Sequence, residues 1–188
     1  TVVTYYYKNK NEEHTHTWSD WKYNNDAVYN SSSDYKDGTQ TRTCSACGES
    51  ETKEAPNTAL LRRRGNALSL ESSITLATYI TKDVVDYYDE VYAEFTRNGK
   101  TEKVYPSGKT LTSNSIVYCI FDYTGISPQA LGDDVSITFY GVKDGVTYNG
   151  NAYKYSATDY IKSTLNKPTS SAKLKTLLVD LVLSLIHI

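Results

Sequence analysis

The 188-residue sequence contains no methionine, only three cysteines, four prolines and three histidines. Three cysteines do not make the dense, even-numbered framework of small disulfide-stabilised domains. Three histidines leave little material for Ser-His-Asp or Cys-His catalysis. A formal net charge of −2 lacks the positive excess of a nucleic-acid-binding protein. We therefore expect neither an enzyme nor a nucleic-acid-binding protein.

Aliphatic residues are also scarce. Leucine, isoleucine, valine and phenylalanine together make up 39 of the 188 residues, a level at which disorder becomes a concern if the net charge is high. The net charge is low, however, and 18 tyrosines supply apolar surface instead. Threonine, serine and asparagine are abundant, which suits twisted strands with wet outer faces. This composition predicts a mainly β protein and argues against an all-α or Rossmann-type fold.

The two ends of the chain need separate interpretation. The chain begins at Thr1 without a methionine, so a signal peptide can be neither identified nor ruled out. Residues 183–188, LSLIHI, are what the codons CTG TCT CTT ATA CAC ATC would encode, and that string is the end of a transposon adapter used in sequencing libraries. We interpret these six residues as an adapter artefact. The apolar run 174–188 is shorter than the roughly 20 residues of a membrane span, so we expect no span.

The chain divides into three main pieces, with a linker between the second and the third. Residues 1–13 are predicted to be the end of a preceding module and its linker. Residues 14–58 form a small β unit with both tryptophans and a C-x-x-C pair, and it is too short to hold a large core. Residues 59–66, with Arg62-Arg63-Arg64, read as a solvated linker. From residue 67 to 182 the pattern predicts an antiparallel β-sandwich followed by a pair of helices.

Alternation and turn signals support the sandwich. Residues 90–96 place Val91, Ala93 and Phe95 on one face. Asn98-Gly99 and Asp144-Gly145 are typical two-residue hairpin turns, the second leading into a strand over 146–155. Residues 115–122 are apolar on both faces, which predicts a central strand. The most buried side chains should include Phe95, Val117, Ile120, Phe121, Ile137 and Phe139.

The period changes from strand to helix at Ser156. Ser156 and Asp159 resemble a capping box at the start of a helix over 157–166. Ser171 can cap a second helix over 171–182. Its leucines recur at helical spacing and should pack on the sandwich; they are Leu174, Leu177, Leu178 and Leu181.

The C-x-x-C-G string at residues 44–48 has the spacing of a metal knuckle. Cys44 and Cys47 can converge on one ion while Gly48 takes the left-handed angle beyond them. On a strand, the H-x-H spacing would place His14 and His16 on one face, and they could complete a tetrahedral site. A structural zinc would explain how a unit with little core keeps its shape. A Cys44–Cys47 disulfide, or two thiols without a shared role, are the alternatives.

Two segments carry a resemblance. The string HTHTWSDW at residues 14–21, followed by DGTQTRTCSACGE at 37–49, resembles the H-x-W-x-x-W…D-G-x-x-T-R-x-C-x-x-C-G repeat of large secreted and surface proteins of Gram-positive anaerobic bacteria. Residues 126–133, 136–148 and 175–181 are similar to a β-rich module that accompanies this repeat. The resemblance implies a secreted or cell-surface location. Relatives usually carry another cysteine before the D-G turn and a histidine after the proline, and both are missing here.

Two functional classes follow from these observations. The first is a non-catalytic structural or interaction module, whose partners are the other domains of the same polypeptide. The second is a module that binds glycans or surface proteins through exposed Tyr and Trp side chains. Several tyrosines exposed in one groove would favour the second class; the candidates are Tyr87, Tyr88, Tyr123, Tyr140, Tyr148, Tyr153 and Tyr155.

Overall fold

The N-terminal unit is built from short antiparallel strands. The computed structural model describes residues 15–70 and 73–186, so residues 1–13, predicted as the end of a preceding module, lie outside it, as does His14. The strands are β1 Lys22–Tyr23, β2 Val28–Ser31, β3 Asp34–Lys36, β4 Gly38–Thr43 and β5 Ser50–Ala55. Strand β4 lies between β1 and β5 in one sheet, and β2 pairs with β3 as a hairpin.

The segment predicted as a linker, 59–66, is packed rather than extended. A 3-10 turn covers Thr58–Leu60, and the next side chain, Leu61, is fully buried. The carboxylate of Asp37 accepts hydrogen bonds from the backbone N–H groups of Asn57 and Ala59, each at 2.9 Å. These contacts fix the path of the chain from the N-terminal unit into the larger part.

The larger part contains two antiparallel sheets. Its described strands are β6 Gly65–Leu70, β7 Ile74–Thr81, β8 Glu90–Arg97, β9 Lys100–Val104, β10 Thr110–Ser113, β11 Ile116–Ile126, β12 Val135–Lys143, β13 Val146–Asn149 and β14 Tyr153–Tyr155. One sheet has the order β10-β11-β7-β6, and the other has the order β13-β12-β8-β9 with β14 also paired to β12. The helix α1, Lys82–Tyr87, connects β7 to β8. This arrangement confirms the mainly β, sandwich-like fold.

The core lies between the two sheets. Side chains of β8 alternate between buried and half-buried, as the sequence predicts. The ring of Phe95 stacks on Tyr123 with centroids 4.9 Å apart, and Phe121 meets Phe139 edge-on at 5.2 Å. The predicted core residues that are fully buried are Phe95, Phe121, Ile137 and Phe139.

Two predicted core residues on β11 are not in the core. Val117 is 36% exposed, because β7 ends at Thr81 and the residues of β11 before Tyr118 pair only with β10. Ile120 is only half-buried, since it points to the opposite face of the sheet from its neighbour Phe121. The prediction of β11 as a central strand is confirmed, but the burial at its start was overestimated.

Two hairpin turns form as the local sequence predicts, but one predicted strand is interrupted. Asn98-Gly99 and Asp144-Gly145 adopt the positive φ angles predicted for them. The single strand predicted over 146–155 is instead divided into β13 and β14. Gly150 lies at the break, where its N–H donates to Phe139 O at 2.9 Å. A Cβ at Gly150 would overlap the carbonyl oxygen of Leu61, so this glycine permits close packing.

Two helices end the described chain, α2 Ala157–Asn166 and α3 Ala172–Ile186. The capping box is confirmed, because the Ser156 hydroxyl accepts from Asp159 N and the Asp159 carboxylate accepts from Ser156 N. Leu178 of α3 is 1% exposed, but Leu177 is 52% exposed. The prediction that Leu177 packs inward was therefore wrong: α3 buries a narrower stripe than the leucine spacing indicated.

The capping box gives a first test. Ser156→Ala removes both the hydroxyl acceptor and its bond to Asp159, and we expect it to lower the free energy of unfolding by about 1 kcal/mol. Lys162→Ala, at an exposed position of the same helix, is the matched control and should change it by less than about 0.5 kcal/mol. Urea unfolding followed by circular dichroism measures both. Equal changes would contradict the role of the cap.

Candidate metal centre

The C-x-x-C-G string forms a tight turn between β4 and β5, here called the knuckle (residues 44–48). Cys44 N donates to Glu49 O at 2.8 Å, and Gly48 N donates back to Cys44 O at 2.9 Å. Gly48 has a φ of +76°, a conformation that glycine adopts without a steric penalty. The turn thereby brings the two cysteine sulfurs to the same place, as the spacing predicts.

His16 reaches the knuckle from a neighbouring segment. Ser45 N donates to Thr17 O at 3.0 Å, and Trp18 forms an isolated antiparallel bridge with Cys44. This pairing places the ligand atoms of His16, Cys44 and Cys47 within 4.8 Å of one another. Three of the four predicted ligands are thus together, and the fourth, His14, lies outside the described residues.

One separation in this group is that of two ligands on the same ion. Cys47 Sγ lies 3.6 Å from His16 Nδ1. A sulfur about 2.3 Å and a nitrogen about 2.1 Å from one tetrahedral ion are themselves about 3.6 Å apart. The group of His16, Cys44 and Cys47 could therefore hold a metal ion through two sulfurs and one nitrogen.

The two sulfurs have different surroundings. Cys44 is buried and Cys47 is exposed, and the structure contains no disulfide between them. The backbone N–H of Glu49 favours the Cys47 thiolate, but desolvation and the adjacent Cys44 outweigh it and raise the pKa of Cys47. Without an ion, Cys47 therefore favours the neutral thiol, and a bound cation would supply the charge that favours the thiolate.

The other ring nitrogen of His16 faces a carboxylate. His16 Nε2 lies 3.6 Å from Glu49 Oε2. Histidines that bind metals commonly direct their second nitrogen to a carboxylate, which fixes the ring and its tautomer. Glu49 follows the knuckle directly, so the same turn that brings the sulfurs together also supplies this partner.

Trp18 and Trp21 support the site from one side. The indole of Trp18 stacks on the His16 ring, with centroids 4.7 Å apart and planes at 17°. The guanidinium of Arg42 lies 4.8 Å from the Trp18 ring and 4.7 Å from the Trp21 ring. Nothing in the sequence indicates this role for Arg42 except its position two residues before Cys44, which places it on the adjoining strand. The H-x-W-x-x-W spacing therefore builds a ladder of stacked side chains.

The seven candidate tyrosines are not exposed together in one groove. Of the seven candidates, Tyr88, Tyr123 and Tyr148 are buried and the others are half-buried. On the outer face of the second sheet, Tyr92 and Tyr140 stack on each other at 5.0 Å, and Lys103 Nζ lies 3.6 Å from the Tyr92 ring. Ring faces occupied in this way are not open to a sugar.

The Cys119 thiol and the clustered surface carboxylates are explained by burial and by ion pairs, without a catalytic role. Cys119 lies on β11 and is buried, and this burial raises the pKa of its thiol, which makes it a poor nucleophile. The carboxylates of Asp86, Asp89 and Glu90 pair with lysines at the surface.

No helix within residues 15–70 and 73–186 is long and apolar enough to cross a membrane. Comparison with known proteins finds no family model and no curated protein that matches the chain.

Proposed function

We propose that this protein is a non-catalytic structural or interaction module of a multidomain extracellular or cell-surface protein. The observation that carries the proposal is the docking of the N-terminal unit on the sandwich through contacts between residues of the two pieces. The resemblance of residues 14–21 and 37–49 to a repeat of secreted and surface proteins supports the location. Its direct partners are then the neighbouring domains of the same polypeptide.

The docking contacts join residues far apart in the chain. The Tyr148 hydroxyl donates to Gln40 Oε1 at 3.1 Å in a buried position. The Tyr148 ring also meets Tyr23 edge-on, with centroids 5.3 Å apart. On the same side, the Tyr88 hydroxyl donates to Pro56 O at 3.3 Å. Buried hydrogen bonds of this kind are costly to leave unpaired, so they favour one fixed orientation of the two pieces.

The second part of the proposal is that His16, Cys44 and Cys47 bind a structural zinc ion. Zinc prefers tetrahedral sites of thiolate and imidazole ligands. The N-terminal unit has little core of its own, since in its strands β1 to β5 only Gly38, Gln40 and Ala55 are buried. A metal would supply the stability that this small unit cannot obtain from apolar burial.

The docking can be tested at Gly150. Gly150→Ala places a methyl group against the Leu61 carbonyl oxygen, and we expect it to lower the free energy of unfolding by about 1–3 kcal/mol. Leu61 follows the N-terminal unit directly, so displacing its carbonyl should also loosen the docking and divide a single thermal transition into two. Differential scanning calorimetry reports both effects.

Gly132→Ala is the matched control for Gly150→Ala. A Cβ at Gly132 meets nothing within 4 Å, and no positive φ is involved. We therefore expect one transition and a change within about 0.5 kcal/mol. Two independent transitions already present in the unmodified protein would contradict a rigidly docked module.

A further inference from the structure

A cleft lies where the N-terminal unit meets the sandwich. Its volume is about 210 Å³, and its lining includes Tyr29, Arg62, Arg63, Asn149, Asn151 and Tyr153. The lining contains two arginines and no acidic residue. Junctions between two packed pieces are common positions for ligand sites.

Aromatic rings hold the arginines of this cleft in place. The guanidinium of Arg62 lies 3.4 Å from the centroid of Tyr29, and that of Arg63 lies 4.6 Å from the centroid of Tyr153. The backbone is fixed as well, because Arg62 N donates to Leu60 O at 2.8 Å. Donors positioned in advance lose less entropy when a ligand binds.

The positive charge at the cleft is not neutralised by the protein. Among the described residues, no carboxylate lies within 4.0 Å of the guanidinium groups of Arg62, Arg63 or Arg64. The Nε atom of Arg62, in the lining of this cleft, is buried without a hydrogen-bond partner. Buried donors of this kind are uncommon in folded proteins and indicate an absent acceptor.

We propose that this cleft binds the carboxylate-bearing ring of an acidic sugar, of the hexuronic acid class. A guanidinium group matches a carboxylate through paired N–H donors. The amide of Asn151 can exchange hydrogen bonds with sugar hydroxyls. Asn149 Nδ2 already donates to Asn25 Oδ1 and Gly150 O, so Asn149 offers its Oδ1 as an acceptor. The cleft, at about 210 Å³, has room for one sugar ring. This site is separate from the zinc site, so either can fail without the other.

Titration of the full chain with sodium D-glucuronate tests the proposal. We expect saturable binding near 1 mM, followed by NMR chemical shifts or calorimetry and weakened by added salt. D-glucose, the neutral analogue, should bind at least about tenfold more weakly. Inorganic phosphate should also bind more weakly than glucuronate. Equal binding of glucose, or tighter binding of phosphate, would overturn the assignment to an acidic sugar.

Two variants locate the site. Arg63 is exposed, so Arg63→Gln should fold normally, and we expect it to weaken glucuronate binding at least about tenfold. Lys100→Gln removes a positive charge at an exposed hairpin residue away from the cleft and should leave binding unchanged. Equal losses in both variants would indicate a general charge effect, and no loss in Arg63→Gln would exclude this cleft.

Discussion

Cys47→Ser is expected to abolish zinc binding and to destabilise the N-terminal unit while the sandwich stays folded. Cys47 is exposed, so its replacement changes a ligand without creating a cavity in the core. If free zinc exceeds the dissociation constant about a thousandfold, losing the site removes about 4 kcal/mol of stability. Chelation of the metal from the unmodified protein should produce the same loss.

Hydrogen exchange followed by mass spectrometry locates this effect. Amides of β4 and β5 should exchange faster in Cys47→Ser, while those of β7 and β12 should keep their protection. Ala46→Ser, at an exposed knuckle position, is the matched control and should behave like the unmodified protein. If reduced Cys47→Ser were as stable as Ala46→Ser in the presence of zinc, the zinc proposal would be wrong. A Cys44–Cys47 disulfide would then be the better explanation if reductant alone destabilised the unmodified protein.

Phe121→Ala is expected to lower the free energy of unfolding by about 3–5 kcal/mol. The Phe121 ring is fully buried between the two sheets and packs edge-on against Phe139. Removing it leaves a cavity that the surrounding strands cannot fill without shifting. Chemical unfolding of both proteins in urea measures the difference.

The control for Phe121→Ala is Val117→Ala on the same strand. Val117 is 36% exposed, so we expect its truncation to cost less than about 1 kcal/mol. Similar costs at the two positions would contradict the placement of the core. This pair of variants also tests the point at which the sequence-based prediction of β11 differs from the structure.

Local patterns in the sequence predicted much of the sandwich. The alternation in β8, the Asn98-Gly99 and Asp144-Gly145 turns and the Ser156 capping box depend on residues close together in the chain. The errors arose where burial depends on distant elements. Val117 shares a face with Phe121 but extends past the end of β7, and Leu177 faces solvent because α3 buries only a narrow stripe.

The candidate metal centre and the cleft also differ in whether local sequence patterns or contacts between distant residues form them. The knuckle was predictable, because C-x-x-C-G is a local signal for a turn that brings two sulfurs together. The stacking of Trp18 on His16 and the position of Arg42 depend on the pairing of separate segments, which composition does not reveal. The sequence predicts a solvated linker where Arg62 and Arg63 instead line a cleft. The reason is that Leu61 packs against Gly150, a residue far away in the chain, and the residues around Leu61 do not indicate this contact.

The most direct test of a zinc-stabilised, docked module is the metal content of the purified, reduced protein. Elemental analysis should find one zinc per chain in the unmodified protein and in Ala46→Ser, and none in Cys47→Ser. Cobalt in place of zinc should give the absorption bands of a tetrahedral thiolate site. Absence of bound zinc from the unmodified protein after equilibration with the metal, or equal zinc in Cys47→Ser, would contradict the proposal.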